Sequence, residues 1–588
     1  MEKWMMTTKR ADFNKIADRF HISPVLARLM RNRDLITEEE MQIYLYGTMK
    51  DIPSPYLLKD VKKAASIMQD KIKAGKKIRI ISDYDVDGVS SNYILLLGLR
   101  KCGAAVDYCI PHRIEDGYGI NEHLITEAKN DGIDTIITCD NGITALKQID
   151  YANELGMTVI ITDHHDLAFE EKDGKTIYHI PEAAAVVNPK QEDCSYPYKS
   201  ICGAMVSFKF IQVLYDLYGI PSVELEHFLP IVALATECDV MPLQKENRII
   251  LKEGIKRMKH SGIIGLHALL EATNSMEKNI SAYTLGFVIG PCINASGRLK
   301  SAQDAMELLI CQDKEIARQK AEELVALNAE RKEMTEKGTE EAIQYLEQTG
   351  HAHDKVLVIY LPQTHESIAG IIAGRVKEHY NKPTFVLTRG KEGFKGSGRS
   401  IEAYHMHREM TKIKDCFIKF GGHPMAAGLS IEEGRIEEMR SRLNENTSLT
   451  EEDFVKKIMI DIPVPFSYLS EAFLEELSLL EPFGTENKKP VFAQKNLQLV
   501  SLRLVGKVKK YVKLSLKDEN AYRINAMYFG EAQAFCQEIV EKYGQNTLDR
   551  LLRGLNTSVH IHVIYYPKID EWNGNRSISV TIENYRFA

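Results

Sequence analysis

The chain has 588 residues, too many for one hydrophobic core, so about three or four domains are expected. Hydrophobic residues make up 44% and charged residues 27%, an ordinary globular composition, and the longest apolar runs fall far below the roughly 18 residues that span a bilayer. The net charge of −7 argues against indiscriminate polyanion binding but leaves room for a local basic groove. The first ten residues lack the apolar stretch of a secretory leader, and the ten cysteines include no CxxC pair. Reduced thiols and a cytoplasmic location are therefore expected, rather than disulfides or a zinc site.

Residues 1–75 read as a helical lead-in, with Ser23-Pro24 opening one helix and Thr37 to Glu40 a capping box for another. They show no chemistry and are expected to pack on the domain that follows. From Ile78 strands and helices alternate: strands at 78–82, 106–110, 135–138 and 158–162, a short one at Val186 and Val187, and helices near 91–101, 121–130 and 146–155. Such alternation predicts a mostly parallel, doubly wound sheet covered on both faces, over residues 76–300.

The residues that end those strands carry the chemistry. Asp83, Asp85 and Asp87 stand at spacing two before Gly88, and carboxylates two apart on an extended segment point to one side. The strand at 135–138 stops at Cys139-Asp140-Asn141-Gly142, and that at 158–162 at Asp163-His164-His165-Asp166. A later segment at 231–236, helix or strand, stops at Asp239. A parallel sheet gathers its carboxyl ends at one edge, so Asp85, Asp87, Asp140, His164 and Asp239 are expected to converge. Four carboxylates and an imidazole suit two divalent ions, Mn2+ or Mg2+ rather than zinc, in a site that hydrolyses phosphoesters. One acidic motif alone suits a solvated turn about as well; four of matching type, in order, are strong evidence for a site.

Residues 301–348, rich in Glu, Lys, Ala and Leu, read as a long connecting helix. A second α/β lobe over 349–452 has strands at 356–360 and 385–387, a helix near 368–377, and glycine-rich turns at 396–398 and 421–422. Gly422 and His423 suit a loop whose backbone approaches an anion closely. From 453 short β-rich segments predict a Greek-key barrel of the OB type, with Tyr511, Tyr522, Tyr528 and Phe529 beside Lys507, Lys509, Lys510 and Lys513 as candidates for stacking and charge.

The four acidic motifs resemble motifs I to IV of the DHH phosphoesterase superfamily. Pro111-His-Arg113, Gly117-Tyr-Gly119, Asn188-Pro-Lys190 and Cys202-Gly-Ala204 extend the resemblance, as do residues 291–298, 396–400, 421–428 and 481–484. Together they cover nearly the whole chain and are similar, within that superfamily, to the family of single-stranded-DNA-specific exonucleases. The resemblance implies a 5′→3′ exonuclease releasing mononucleotides in recombination and repair, with a DHH domain, a DHH-associated domain and an OB domain. It implies Asp85, Asp87, Asp140, His164 and Asp239 as metal ligands, with Asp140 bridging two ions of Mn2+ or Mg2+, and Asp83 either as a further metal ligand or as a partner that supports one. His165 and Arg298 would meet substrate phosphate, while Arg113, Ser397 and Arg399 would hold the 5′-terminal phosphate, for which the arginine fork is suited. Asn294, Gly422 and His423 would contact DNA. The implied partners are single-stranded DNA, a helicase and a single-strand-binding protein, with no membrane and a monomeric chain.

Three positions depart from the family pattern. Cys292 stands where an arginine is usual, which would weaken a phosphate contact. Thr364 stands where tryptophan is frequent, and Glu486 to Pro490 interrupt a turn. The alternative is a DHH phosphodiesterase acting on short oligoribonucleotides or cyclic dinucleotides, which the barrel-like extension disfavours. A non-catalytic scaffold is disfavoured because every ligand position is filled.

Overall fold

Ile78, Ile80 and Ile81 are fully buried in a five-stranded parallel sheet, and burial on both faces is why these strands read as continuous apolar runs. In the computed structural model of the chain, which describes residues 2–172, 175–390, 393–555, 557–572 and 575–588, the sheet runs Ala105–Cys109, Lys77–Ser82, Thr135–Cys139, Thr158–Thr162, Ala185–Val187 from edge to edge. Helices Val86–Lys101 and Gly203–Tyr218 lie together on one face; Glu122–Asn130 and Leu146–Glu154 cover the other with a core of Leu124, Ile125, Ile149 and Ala152. This is the expected doubly wound α/β arrangement. Strand order reverses between Lys77–Ser82 and Thr135–Cys139, and such a switch point opens a crevice at the strands' carboxyl ends.

The chain forms two units. One comprises 51–242 with 246–456; the other comprises residues up to 50, 243–245 and 457–588. In the first, the segment preceding Asp239 is a helix, Leu229–Cys238, not a strand. After Gln303–Ile310, the helix Lys314–Thr349 runs 36 residues, which is about 54 Å at the standard rise. It leads to a second, mixed sheet ordered Phe417–Gly422, Ala426–Ile431, Phe394–Arg399, Thr384–Arg389, Leu357–Tyr360.

The glycines at 396–398 and 421–422 lie inside strands rather than turns. A Cβ on Gly398 would fall 2.7 Å from the Phe385 ring and 2.5 Å from the Met406 sulfur. Alternate glycines thus let the inner face of Phe394–Arg399 sit against its core while Lys395, Ser397 and Arg399 face outward.

In the second unit, Phe492–Val505, Tyr511–Lys517, Arg523–Tyr528, Asn575–Phe587 and His560–Trp572 close into a barrel, because the first strand also pairs with the last. This is the OB-type barrel read from the sequence. The first 50 residues share its core: Leu26, Leu29 and Met30 are buried in one cluster with Phe466, Phe473 and Phe492. Residues up to 50 of the lead-in therefore fold with the C-terminal segment, where their apolar helix faces find cover, while the helix Val61–Lys73 packs as expected on the sheet's unit, against Gly203–Tyr218 and Ala185–Val187. Tyr528 turns toward Phe535 and Tyr585, whereas Tyr511 and Phe529 meet edge to face at the surface beside exposed lysines. Among the described residues no helix is long and apolar enough to cross a membrane.

Candidate active site

Sheet register pairs Ser82 with Cys139 and Cys139 with Thr162, so the next residues, Asp83, Asp140 and Asp163, emerge in one row. The cluster forms differently from the extended-strand expectation. The strand ends at Ser82 and Asp85 already caps the helix Val86–Lys101, accepting hydrogen bonds from the amides of Asp87 and Gly88. Asp87 sits in the first helical turn, where its two oxygens accept from the amides of Ala204 (2.7 Å) and Gly203 (2.6 Å). Those amides open the helix Gly203–Tyr218, and a helix N-terminus favours an anion. Gly203 must lack a side chain, for a Cβ there would lie 2.8 Å from that of Asp140. Asp140 adopts a left-handed backbone (φ 60°) and is braced by Asn141, which donates to the carbonyls of Ile81 and Cys139 and accepts from the amide of Ile120.

His164 Nε2 stands 3.1 Å from Asp140, 3.6 Å from Asp87 and 3.6 Å from Asp239, the C-cap of Leu229–Cys238. Ligand atoms of Asp83, Asp85 and Asp140 lie within 4.8 Å of one another, as do those of Asp87, His164 and Asp239, and again those of Asp140, His164 and His165. All six expected ligands are thus brought together, with Asp140 between two groups.

The electrostatics of the cluster suit a bound cation. Burial, then neighbouring carboxylates, push Asp83 and Asp140 well above the ordinary carboxylate range, Asp87 to about 6 and Asp239 to about 9. Burial and then the adjacent His165 push His164 down to about 3, leaving a neutral, ligand-competent imidazole. Oδ1 of Asp83 and Asp140, Oδ2 of Asp239 and Nε2 of His164 are buried without any hydrogen-bond partner. Converging orphaned oxygens and one imidazole nitrogen fit a hard-to-borderline divalent cation.

Asp163, the first residue of the Asp-His-His run, plays another part. Oδ1 accepts from the His164 and His165 amides and from His165 Nδ1 (2.8 Å), and Oδ2 from the amide of Ile143. Burial alone would raise it, but the hydrogen bond from His165 and the charge on that ring hold it down to about 2. For His165 burial opposes charging, and Asp163 overcomes it, lifting the imidazole to about 9. Tyr118 donates to the Asp140 carbonyl and its hydroxyl lies 3.3 Å from the His165 ring. From the sequence Tyr118 stood out only within the Gly117-Tyr-Gly119 motif and Asp163 had no role; the Asp140-Asn141-Gly142 strand end gave no sign of the buried bracing bonds of Asn141. His423 lines one cavity with His164, His165, Asp239 and Lys190, and Gly422 precedes it at φ 159°.

A second cavity, of about 310 Å³, is lined by Tyr84, Arg113, Arg298, Ser367, Ser397 and Arg399 among others. Arg113 stacks 4.5 Å over the Tyr84 ring, Arg298 donates to the Ser367 carbonyl (2.6 Å), and Arg399 donates to the Gly398 carbonyl (2.8 Å). Burial, followed by Arg113 and Arg331, pushes Arg298 down to about 10, a crowding of cations that an anion would relieve. Lys395, absent from the expected set, faces the same cavity and pairs with Glu366. Asn294 accepts from the Val86 amide and so steadies the helix that carries Asp87. Cys292 is buried, donating to the Val288 carbonyl and receiving the Asn328 amide, so it occupies a packed helix interface.

Comparison with known proteins agrees with this geometry. Residues 77–236 match the DHH family, N-terminal domain, 353–448 the DHHA1 domain and 460–584 the RecJ OB domain. A single-stranded-DNA-specific exonuclease RecJ of Bacillus subtilis is 32% identical over 98% of this chain and 70% of its own length. The protein of that name from Escherichia coli is 31% identical over 99% of each chain. The crystal structure of RecJ in complex with Mn2+ from Thermus thermophilus superposes with a TM-score of 0.81 at 26% identity, covering 99% of this chain and 79% of that one.

Proposed function

The chain belongs to the RecJ family of DHH phosphoesterases, and from that premise we propose how its residues perform a 5′→3′ exonuclease reaction. It is a single-stranded-DNA-specific exonuclease, a phosphodiester hydrolase of DNA recombination and repair. The observation that carries the detailed reading is Asp140, whose carboxylate belongs both to the Asp83–Asp85 group and to the His164 group.

Asp83, Asp85 and Asp140 would hold one divalent ion, Mn2+ or Mg2+, and Asp87, His164 and Asp239 a second, with Asp140 shared. Bound there, such ions supply an activated water and neutralise charge on the phosphate being cleaved. The chain's own residues do the rest. Arg298, fixed by the Ser367 carbonyl, faces the scissile phosphate, and His165, held charged by Asp163, donates to a phosphate oxygen. Arg113, Ser397 and Arg399 grip the 5′-terminal phosphate, which places the first linkage at the metal groups and sets the polarity. Asn294 positions the Asp87 helix, and Gly422 and His423 approach the strand from the second sheet. The chain acts as a monomer, with a helicase and a single-strand-binding protein supplying and clearing its strand.

Product analysis tests this substrate class. With Mn2+ or Mg2+, a long single strand should yield nucleoside 5′-monophosphates while a blunt duplex stays intact. Cleavage confined to cyclic dinucleotides or very short oligoribonucleotides would overturn it.

A further inference from the structure

We propose that Asn247 is a positioning residue for the second metal ion, a reading that rests on the two-ion site proposed above. Its side chain is buried, and its Nδ2 amide donates to two backbone carbonyls, that of Ser200 at 2.6 Å and that of Pro242 at 3.0 Å. Its Oδ1 has no hydrogen-bond partner among the described residues. Burying an amide with one end unsatisfied is costly, so the two donations carry the residue's role.

The segments that own those carbonyls say what the role is. Pro242 closes the turn that follows Asp239, the C-cap of Leu229–Cys238. Within that turn Val240 stands at φ 57°, a left-handed conformation in which a β-branched residue is strained. A strained turn keeps its shape only when its surroundings hold it, and the Asn247 bond at its far end keeps Asp239 aimed at His164. Ser200 opens the other segment. Beside it, the backbone at Ile201 bonds His164, and the amides of Gly203 and Ala204 hold the Asp87 carboxylate. One side chain therefore ties together the loops that fix Asp87, His164 and Asp239, the three residues of the second ligand group. The neighbouring Glu246 anchors the clamp: it accepts from the Tyr196 hydroxyl at 2.7 Å and pairs with Lys209 at 3.1 Å, all three buried. Tyr196 precedes Ser200 in its segment, and Lys209 lies in the helix that Gly203 and Ala204 open. Neither clamped carbonyl belongs to the strand Lys77–Ser82, whose end supplies Asp83 and Asp85, so the first group keeps its own support.

The test is calorimetric titration of the full chain with Mn2+, which reads each ion apart from turnover; Asp239→Ala marks the signal of the second. Asn247→Leu, of similar volume but without donors, should weaken the second ion roughly 10- to 100-fold and leave the first at wild-type affinity. Asn247→Ser is a smaller lesion that keeps one donor; it should fall between the two, and it carries the test if the larger change costs the fold. Excess Mn2+ should return the turnover of either variant toward wild type, since every ligand is still present. Unchanged affinity for both ions, or equal weakening of both, overturns the positioning role alone. A wild-type chain that takes up a single Mn2+ overturns the two-ion reading, and the role with it.

Discussion

Asp140 Oδ1 lies 3.1 Å from His164 Nε2 in the protein interior, and neither atom has a hydrogen-bond partner. With His164 bonded to the backbone at Ile201, Nε2 presents a lone pair to a carboxylate, an arrangement that a shared cation stabilises. Asp140→Ala should abolish hydrolysis while the fold persists. In wild type, Mn2+ at 100 times its dissociation constant should stabilise folding by about 2.7 kcal/mol. A chelator should remove that gain, and Asp140→Ala should show little of it. Calorimetric melting with and without Mn2+ checks this, and an undiminished metal-induced shift in Asp140→Ala would contradict the shared-ligand role.

Gly203→Ala leaves every charged group in place but sets a methyl 2.8 Å from Asp140 Cβ. Overpacking at such a contact costs about 1–3 kcal/mol. Lower thermal stability with weakened metal affinity is expected by denaturation and Mn2+ titration; a variant with wild-type metal affinity would show that the close approach does not position Asp140.

Asp163 belongs to none of the ligand groups; it braces the His164 and His165 amides and holds the His165 ring at 2.8 Å. Asp163→Asn should lower turnover roughly 10- to 100-fold, as removal of an orienting partner does, while the Mn2+-induced melting shift survives. Loss of metal binding equal to the loss of turnover would reassign Asp163 to the ligand set.

Arg399 shares its cavity with Arg113 and Ser397, and Gly370 leaves room for its guanidinium: a Cβ there would lie 2.9 Å from Arg399 Nη2. Arg399→Ala should cost about 1.5–3 kcal/mol of the preference for a phosphorylated over an unphosphorylated 5′ end. Gly370→Ala should act in the same direction, more weakly, because the long side chain can shift. Competition between the two ends measures it; equal loss on both would argue against this pocket.

The strand ends were legible because period and composition report buried parallel strands directly, and Asp140, His164 and Asp163 follow from register. Asp87 was found for the wrong geometric reason: it reaches the cluster from a helical turn, held by the Gly203 and Ala204 amides, which no local spacing announces. Gly396 and Gly398 read as a turn because a strand whose glycines make room for Phe385 and Met406 has no local signature distinct from a loop. Tyr118 and Lys395 join their sites only through folding, and the lead-in's attachment to the barrel depends on long-range packing of Leu26, Leu29 and Met30.

The most direct test of the central claim is digestion of a 5′-phosphorylated single strand labelled at one end or the other, with Mn2+ or Mg2+, beside Asp140→Ala. The account predicts that the 5′ label appears at once as mononucleotide while the 3′ label stays in long fragments, and that Asp140→Ala releases neither. Release of the 3′ label first, or equal release from both ends, would contradict the 5′-phosphate pocket and the polarity derived from it.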